Sequence, residues 1–134
     1  PLAIAAALDG ELLSVYGTDY ATHDGTAIRD YVHVTDLATA HVLALEDLIG
    51  GGGSVAVNLG TGIGYSVREV ISMVEGVTGL KVPVNYTARR AGDPPILVAS
   101  ADLARRRFLW QPQHSCLKDI VESAVWWHEK SRKK

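Results

Sequence analysis

The sequence has little cysteine, no excess of positive charge and no long apolar run, and each shortage excludes a class of protein. One cysteine, Cys116, stands among 134 residues, which excludes an internal disulfide and predicts a reducing compartment, the cytoplasm. The formal net charge is -2, and a nucleic-acid partner is not expected because phosphate binding requires a basic surface. No apolar run reaches the roughly 18 residues of a membrane helix, so we expect no membrane partner.

Neither the histidines nor the aspartates show the spacing of a metal or hydrolytic site. The histidines fall in unrelated predicted elements, so we predict no metal; they are His23, His33, His41, His114 and His128. The aspartates of the first third fall in a loop, a turn, a strand and a helix cap, with no local reason to converge: Asp19, Asp24, Asp30 and Asp36. We interpret Asp30 as a structural partner of a turn and Asp36 as a helix cap.

Hydrophobic periodicity alternates along the chain between the helical and the strand repeat, which predicts an α/β fold. Helices are predicted over 1–10, 36–49 and 66–79 and from about 115 onward, and strands over 12–16, 29–34, 55–59, 81–87 and 96–99. The second helix has Thr35 or Asp36 as its predicted N-cap. The third begins with a capping box, in which Ser66 and Glu69 each satisfy a backbone N–H of the first turn.

Two apolar segments have predicted places in the fold. Residues 55–59 are apolar on both faces, which is typical of a buried parallel strand. Trp126 and Trp127, near the end of the last helix, are predicted to lie in the core and at its rim rather than to form a ligand platform.

A glycine-rich turn follows the strand predicted at 55–59. Gly60, Gly62 and Gly64 precede a capped helix, an order that resembles a dinucleotide fingerprint. That fingerprint needs a glycine where Tyr65 stands and an acidic residue at the end of the next strand, and neither is present. We therefore predict that these glycines reverse the chain and bind no cofactor.

Four motifs together resemble a known family. The stretch YGTDYATHDGTAIRDYVHVTDLATAHV, residues 16–42, resembles very closely the segment that follows the catalytic half of UDP-glucose 4-epimerases, in the extended short-chain dehydrogenase/reductase superfamily. The same family is matched in order and spacing by NLGTGIGYSV at 58–67, RRAGDPP at 89–95, and Trp110 with Pro112 before the last helix. The resemblance covers nearly the whole chain.

The resemblance implies that residues 1–134 are the α/β C-terminal, UDP-sugar-binding portion of such an enzyme, lacking most of the N-terminal Rossmann domain. In the family that domain holds NAD and carries a Tyr-x-x-x-Lys pair, whereas no tyrosine here stands four residues before a lysine. We therefore expect NAD in the full-length enzyme, and neither NAD nor a catalytic residue on this fragment. The strand at 55–59 is expected to belong to the missing Rossmann sheet.

The resemblance also implies a binding site for the UDP moiety. Arg29 and Arg90 would bind the diphosphate, since guanidinium groups form paired hydrogen bonds with phosphate. Asp93 would accept hydrogen bonds from the ribose hydroxyls, and Tyr16 would pack near the uracil. Tyr31 matches a position that lines the same site.

The residues at two positions leave the preferred sugar, and the choice between two neighbouring arginines, undetermined. Leu97 stands where the residue is thought to set how large a sugar fits, and leucine is of intermediate size, so the preferred UDP-sugar is not determined. Ala88 replaces a proline that often precedes the arginine pair, and Arg89 could take the place of Arg90.

The function implied is interconversion of UDP-glucose and UDP-galactose through a transient 4-keto sugar, in galactose metabolism, with this portion binding UDP. An epimerase, dehydratase or decarboxylase of the same superfamily acting on another nucleotide sugar is the alternative. A non-catalytic nucleotide-binding module is a third possibility. Expected partners are a UDP-sugar, the missing Rossmann domain and a second copy of the chain, because an unpaired apolar strand favours self-association.

Overall fold

The computed structural model describes residues 1–132, which form an α/β fold. Along the chain the elements are α1 (Leu2–Asp9), β1 (Leu13–Tyr16), β2 (Ile28–Asp30), α2 (Val34–Ile49), β3 (Gly64–Ser66), α3 (Val67–Thr78), β4 (Val84–Thr87), β5 (Ile96–Leu97), α4 (Asp102–Phe108) and α5 (Leu117–Ser131). The predicted fold class is confirmed.

The strands form two small sheets. β1 pairs with β4 in parallel, with Val15 opposite Tyr86. β2 is the central strand of the second sheet, antiparallel to β3 and parallel to β5. In that sheet Arg29 lies opposite Tyr65 on one side and opposite Leu97 on the other. β2 and β4 lead into loops that carry predicted site residues, Tyr31 after β2 and Arg90 and Asp93 after β4.

The larger core lies where α1, α3 and α5 pack together and against β1. Val15 and Val74 are 2% and 1% exposed at its centre. α3 presents its apolar face there because both of its ends are fixed. The Ser66–Glu69 capping box begins the helix as predicted, and Gly79 ends it in the left-handed conformation, at φ 70°.

A second, smaller core packs α2 against α4 around Trp110, which is fully buried. The Trp110 indole N–H donates to the Asp36 carbonyl at 2.9 Å. The Asp36 carboxylate accepts from the backbone N–H groups of Gln113 and His114 and from the Ser115 hydroxyl. Burial alone would raise the pKa of Asp36, but these hydrogen bonds outweigh it and lower the pKa. Asp36 therefore anchors the segment before α5.

The cap predicted for α2 was wrong. His33 is the N-cap, and its Nδ1 accepts the Thr35 N–H at 3.0 Å. α2 therefore begins at Val34, and β2 ends at Asp30 rather than continuing to residue 34. Asp36 lies inside the first turn and uses its carboxylate on distant residues, so it is structural but is not the cap.

One other prediction was wrong, the core placement of the tryptophan pair, whereas a strand at 55–59 that joins a Rossmann sheet stays a prediction. Within residues 1–132 no strand is present at 55–59; Val55 is 41% exposed and no other segment pairs with this one. Trp126 and Trp127 are 55% and 66% exposed, so neither lies in the core. Lys130 lies over the Trp126 ring, 3.9 Å from its centre.

Candidate functional site

Arg29 is held in place by contacts with β2 itself and with the segment before β5. Its Nη1 donates to the carbonyl of Ile28 at 2.8 Å and to the carbonyl of Pro94 at 2.9 Å. Its Nη2 lies 3.9 Å from Asp93 Oδ1. The side chain remains 25% exposed, so an anion can still reach the guanidinium group.

Arg90 stacks on Tyr16. The guanidinium carbon lies 3.7 Å from the centre of the Tyr16 ring, within cation–π range. β1 and β4 bring the two together, because Tyr16 pairs with Thr87, three residues before Arg90. Arg90 lowers the pKa of the Tyr16 phenol, by hydrogen bonding first and by its positive charge second. A flat, partly exposed aromatic ring thus lies directly beside a cationic group.

Asp93 links the two arginines. Its backbone N–H donates to the Arg90 carbonyl at 3.3 Å, which closes a turn over residues 90–93. Its carboxylate is 41% exposed and lies beside Arg29. The structure therefore brings Tyr16, Arg29, Arg90 and Asp93 together through one chain of contacts.

The predicted residues line two cavities rather than one. Tyr16 and Arg90 line a cavity of about 370 Å³ with Ser14 and residues of the α1–β1 loop. Arg29 and Leu97 line another of about 420 Å³, whose other lining residues are Asp30, Asn58, Leu59, Val98, Ala99 and Ser100. The 90–93 turn, through the contact of Asp93 with Arg29, connects the residues of the first cavity to those of the second.

Leu97 and Tyr31 differ in how accessible they are. Leu97 lies opposite Arg29 in the β2–β5 register and is 59% exposed, so its side chain can limit what occupies the second cavity. Tyr31 directly follows β2 and is half-buried, and burial raises the pKa of its phenol. Tyr31 does not line either of the two cavities formed by the described residues.

Arg89 points away from Arg90. Its Nε donates to Asp19 Oδ1 at 2.7 Å, and its guanidinium group lies 4.4 Å from the centre of the Tyr20 ring. Gly17 makes room for this ring, since a Cβ there would lie 2.5 Å from Tyr20. Of the two neighbouring arginines, Arg90 is therefore the one beside Tyr16.

The glycine-rich turn does not fit a dinucleotide. The backbone N–H groups of Thr61 and Gly62, which would have to face a pyrophosphate, both donate to the Asp30 carboxylate at 3.0 Å. The turn leads into β3, and a Cβ on Gly64 would lie 2.4 Å from Ile28. Close packing accounts for Gly64, and Asp30 is confirmed as a partner of the turn.

Sequence reasoning missed a cavity of about 680 Å³ between α3 and the loop before β2. Tyr65, Met73 and Leu117 supply its apolar lining, and Asp24 lies at its rim. The Asp24 carboxylate already has hydrogen-bond partners within the protein: it accepts hydrogen bonds from the Thr26 backbone N–H, the Thr26 hydroxyl and the Ser66 hydroxyl. The bond between Ser66 and Asp24 joins residues 42 positions apart, so no local sequence pattern predicts this network.

Two general features follow from the described part of the chain. Among residues 1–132 no three histidine, cysteine, aspartate or glutamate side chains converge where they could hold a metal ion. No helix described here has the length and apolar character that crossing a bilayer requires.

Comparison with known proteins identifies the relatives of this fold. The NAD dependent epimerase/dehydratase family matches residues 1–60. The UDP-glucose 4-epimerase of Azospirillum brasilense is 56% identical over 86% of this chain. The solved UDP-glucose 4-epimerase of Brucella ovis, in complex with NAD, is 51% identical over 94% of the chain, with a TM-score of 0.87. That of Bifidobacterium longum, in complex with NAD+ and UDP, is 38% identical over 98% of the chain, also with a TM-score of 0.87.

The similarity covers most of this chain but only part of each relative. The chain spans 33% of the Azospirillum protein, 39% of the Brucella protein and 38% of the Bifidobacterium protein. The chain therefore belongs to the NAD-dependent epimerase/dehydratase family, and these three relatives are UDP-glucose 4-epimerases.

Proposed function

We propose that this chain is the portion of a UDP-glucose 4-epimerase that holds the UDP end of the sugar nucleotide. The observation that carries the proposal is the grouping of Tyr16, Arg29, Arg90 and Asp93 in a chain similar over 98% of its length to an epimerase solved with UDP. The cytoplasmic location expected from the sequence is part of the same proposal.

Each part of UDP has a chemical partner in this group. Two guanidinium groups suit a diphosphate, because charge-assisted hydrogen bonds to phosphate oxygens can form in pairs. The ring of Tyr16 offers a flat surface to the uracil. The exposed carboxylate of Asp93 can accept hydrogen bonds from the ribose diol.

In the proposed whole reaction UDP-glucose and UDP-galactose would be interconverted through a transient 4-keto sugar, and NAD held outside this chain would supply the hydride chemistry at C4. The glycine turn does not fit the pyrophosphate of NAD, since Asp30 accepts hydrogen bonds from its N–H groups. The proposed role of this chain is to bind the nucleotide while the 4-keto sugar rotates to present its other face. Leu97 borders the cavity beside Arg29 and would restrict the size of the sugar.

Calorimetric titration of the 134-residue chain with UDP and uridine tests the binding proposal. We expect UDP to bind more tightly than uridine, because only UDP engages the arginines. Equal affinities would show that the diphosphate is not recognised, and absence of UDP binding would contradict the proposed function of this chain.

The isolated chain should not interconvert UDP-glucose and UDP-galactose. It has no Tyr-x-x-x-Lys pair, and its glycine turn offers no free N–H pair to a pyrophosphate. Proton NMR of the anomeric signals, with and without added NAD, measures the conversion directly. A full-length relative assayed alongside is the positive control, and turnover that follows the chain at constant specific activity through gel filtration would contradict this prediction.

We also propose that α2 packs against a partner, which is the Rossmann portion in a longer protein and a second copy in the isolated chain. The exposed apolar residues that form the α2 stripe are Val34, Val42, Leu45, Leu48 and Ile49. They lie on one side of the helix, and Ile49 is 79% exposed. An apolar surface of this kind favours association. We propose in addition that residues 55–59 form a strand in the sheet of the same Rossmann portion.

The isolated chain is therefore expected to self-associate at micromolar concentration. Leu45→Glu combined with Ile49→Glu should shift it to monomer, because charges in the α2 stripe cannot be buried without a partner. Thr39→Glu, on an exposed side of α2 outside the stripe, is the matched control and should leave association unchanged. Sedimentation velocity checks this, and a monodisperse wild-type monomer would contradict it.

A further inference from the structure

The Asp30 carboxylate accepts four hydrogen bonds from two separate segments. Its Oδ1 accepts from the Thr61 N–H at 3.0 Å and from the Thr61 hydroxyl at 2.7 Å. Its Oδ2 accepts from the Gly62 N–H at 3.0 Å and from the Ala99 N–H at 3.3 Å. One side chain at the end of β2 therefore connects the glycine turn to the chain that follows β5.

These two segments are the walls of the cavity that Arg29 and Leu97 line. Asn58 and Leu59, just before the glycine turn, form one wall, and residues 97–100 form the other. Asp30 also lines this cavity and lies next to Arg29 along β2. The Asp30 carboxylate thus bridges both walls, beside the β2–β5 pairing that places Leu97 opposite Arg29.

Only a carboxylate satisfies this arrangement. All four partners are donors, and an ionised carboxylate has two oxygens that accept and no group that donates. An asparagine at this position would offer one accepting oxygen and would turn an NH₂ group toward N–H donors. A Cβ on Gly60 would lie 2.7 Å from Asp30 Oδ2, so the carboxylate is closely enclosed on this side as well.

We infer that Asp30 is a positioning residue for the sugar nucleotide: it fixes the two walls of the cavity and so sets how Arg29 and Leu97 are presented. The inference rests on the proposed UDP-binding function for its effect on affinity. Its structural part, the fixing of both walls, does not depend on that function.

The test compares Asp30→Asn with Asp36→Asn in the full 134-residue chain. Asp36 is a matched control, because its carboxylate also accepts several hydrogen bonds from a distant segment but holds residues 113–115 instead. Two quantities are measured: hydrogen exchange of individual backbone amides, and UDP affinity by calorimetry. Thr61→Val and Thr61→Ser form a second pair, because valine removes the hydroxyl donor to Asp30 and serine retains it.

Asp30→Asn is expected to speed exchange at the amides of Gly62 and Ala99 and to weaken UDP binding by about tenfold, the effect of losing one hydrogen bond to a charged group. Asp36→Asn should leave both quantities unchanged once overall stability is allowed for. If Asp30→Asn does not fold, Thr61→Val should show faster exchange at the same amides and weaker UDP binding, with smaller changes. Thr61→Ser should keep both quantities at their wild-type values.

Unchanged exchange at Gly62 and Ala99, in Asp30→Asn or in Thr61→Val, would overturn the inference. So would a loss of UDP affinity that is no greater than in Asp36→Asn. If the wild-type chain binds no UDP, the proposed function fails, whereas the exchange data still decide whether Asp30 fixes the walls.

Discussion

Arg29→Ala and Arg90→Ala should each weaken UDP binding by roughly ten- to a hundredfold. Each guanidinium group is expected to form charge-assisted hydrogen bonds with the diphosphate, worth about 1.5 to 3 kcal/mol. Uridine has no phosphate, so its affinity should change little in either variant. Parallel calorimetric titrations with the two ligands measure the difference, in this chain or in a full-length protein that contains it.

Two other arginines serve as controls for this prediction. Arg106 is exposed on α4, and Arg106→Ala should leave UDP affinity within about twofold of wild type. Arg89 is engaged with Asp19 and Tyr20, so Arg89→Ala should affect UDP binding less than Arg90→Ala. If Arg29→Ala and Arg90→Ala each stay within twofold of wild type, the assignment of the diphosphate is wrong.

Trp110→Ala should lower the free energy of unfolding by about 3 to 5 kcal/mol, the usual cost of removing a large aromatic side chain from a core. Trp110 is fully buried between α2 and α4, and its indole N–H satisfies the Asp36 carbonyl. The substitution therefore leaves a cavity and a carbonyl without its donor. Urea unfolding followed by circular dichroism measures the loss without relying on tryptophan fluorescence.

Trp127→Ala is the matched control, since the same residue type is 66% exposed on α5. It should change stability by no more than about 0.5 kcal/mol. Equal losses in the two variants would show that the α2–α4 core is not formed as described.

Helix ends that depend on neighbouring residues could be predicted from the sequence. Gly10 ends α1 and Gly79 ends α3, both at positive φ, and the Ser66–Glu69 box begins α3. In each case the residues that satisfy the end of the helix lie within a few positions of it. The residues that mark a helix end can therefore be recognised in the short stretch of sequence that contains that end.

Features that depend on distant partners could not be predicted in this way. His33 replaces the expected cap of α2, and it is itself fixed by Ser115, 82 residues away. α4 was not predicted at all; it buries Ala104 and Phe108 against residues of α2. For residues 55–59, apolar periodicity predicts a strand, but none of the strands described in residues 1–132 covers this segment, because no partner strand lies beside it.

The candidate site also contains features of both kinds. Resemblance to the family pointed to Arg29, Arg90, Asp93, Tyr16 and Leu97; the structure places four of them on the linings of two cavities, and Asp93 in the turn between them. It does not place Tyr31 in either lining. The extent of the network around Asp30 could not be anticipated, because its donors lie 31 and 69 residues further along the chain.

The most direct measurement of the proposed UDP site is its location by NMR. Titration of the isotope-labelled chain with UDP should shift the signals of Tyr16 and of the side chains of Arg29 and Arg90, together with the backbone of residues 90–93. The 680 Å³ cavity between α3 and the loop before β2 should not respond, so the signals of Met73 and Leu117 should stay in place. Shifts confined to that cavity, or no shifts at saturating UDP, would contradict the assignment of the site.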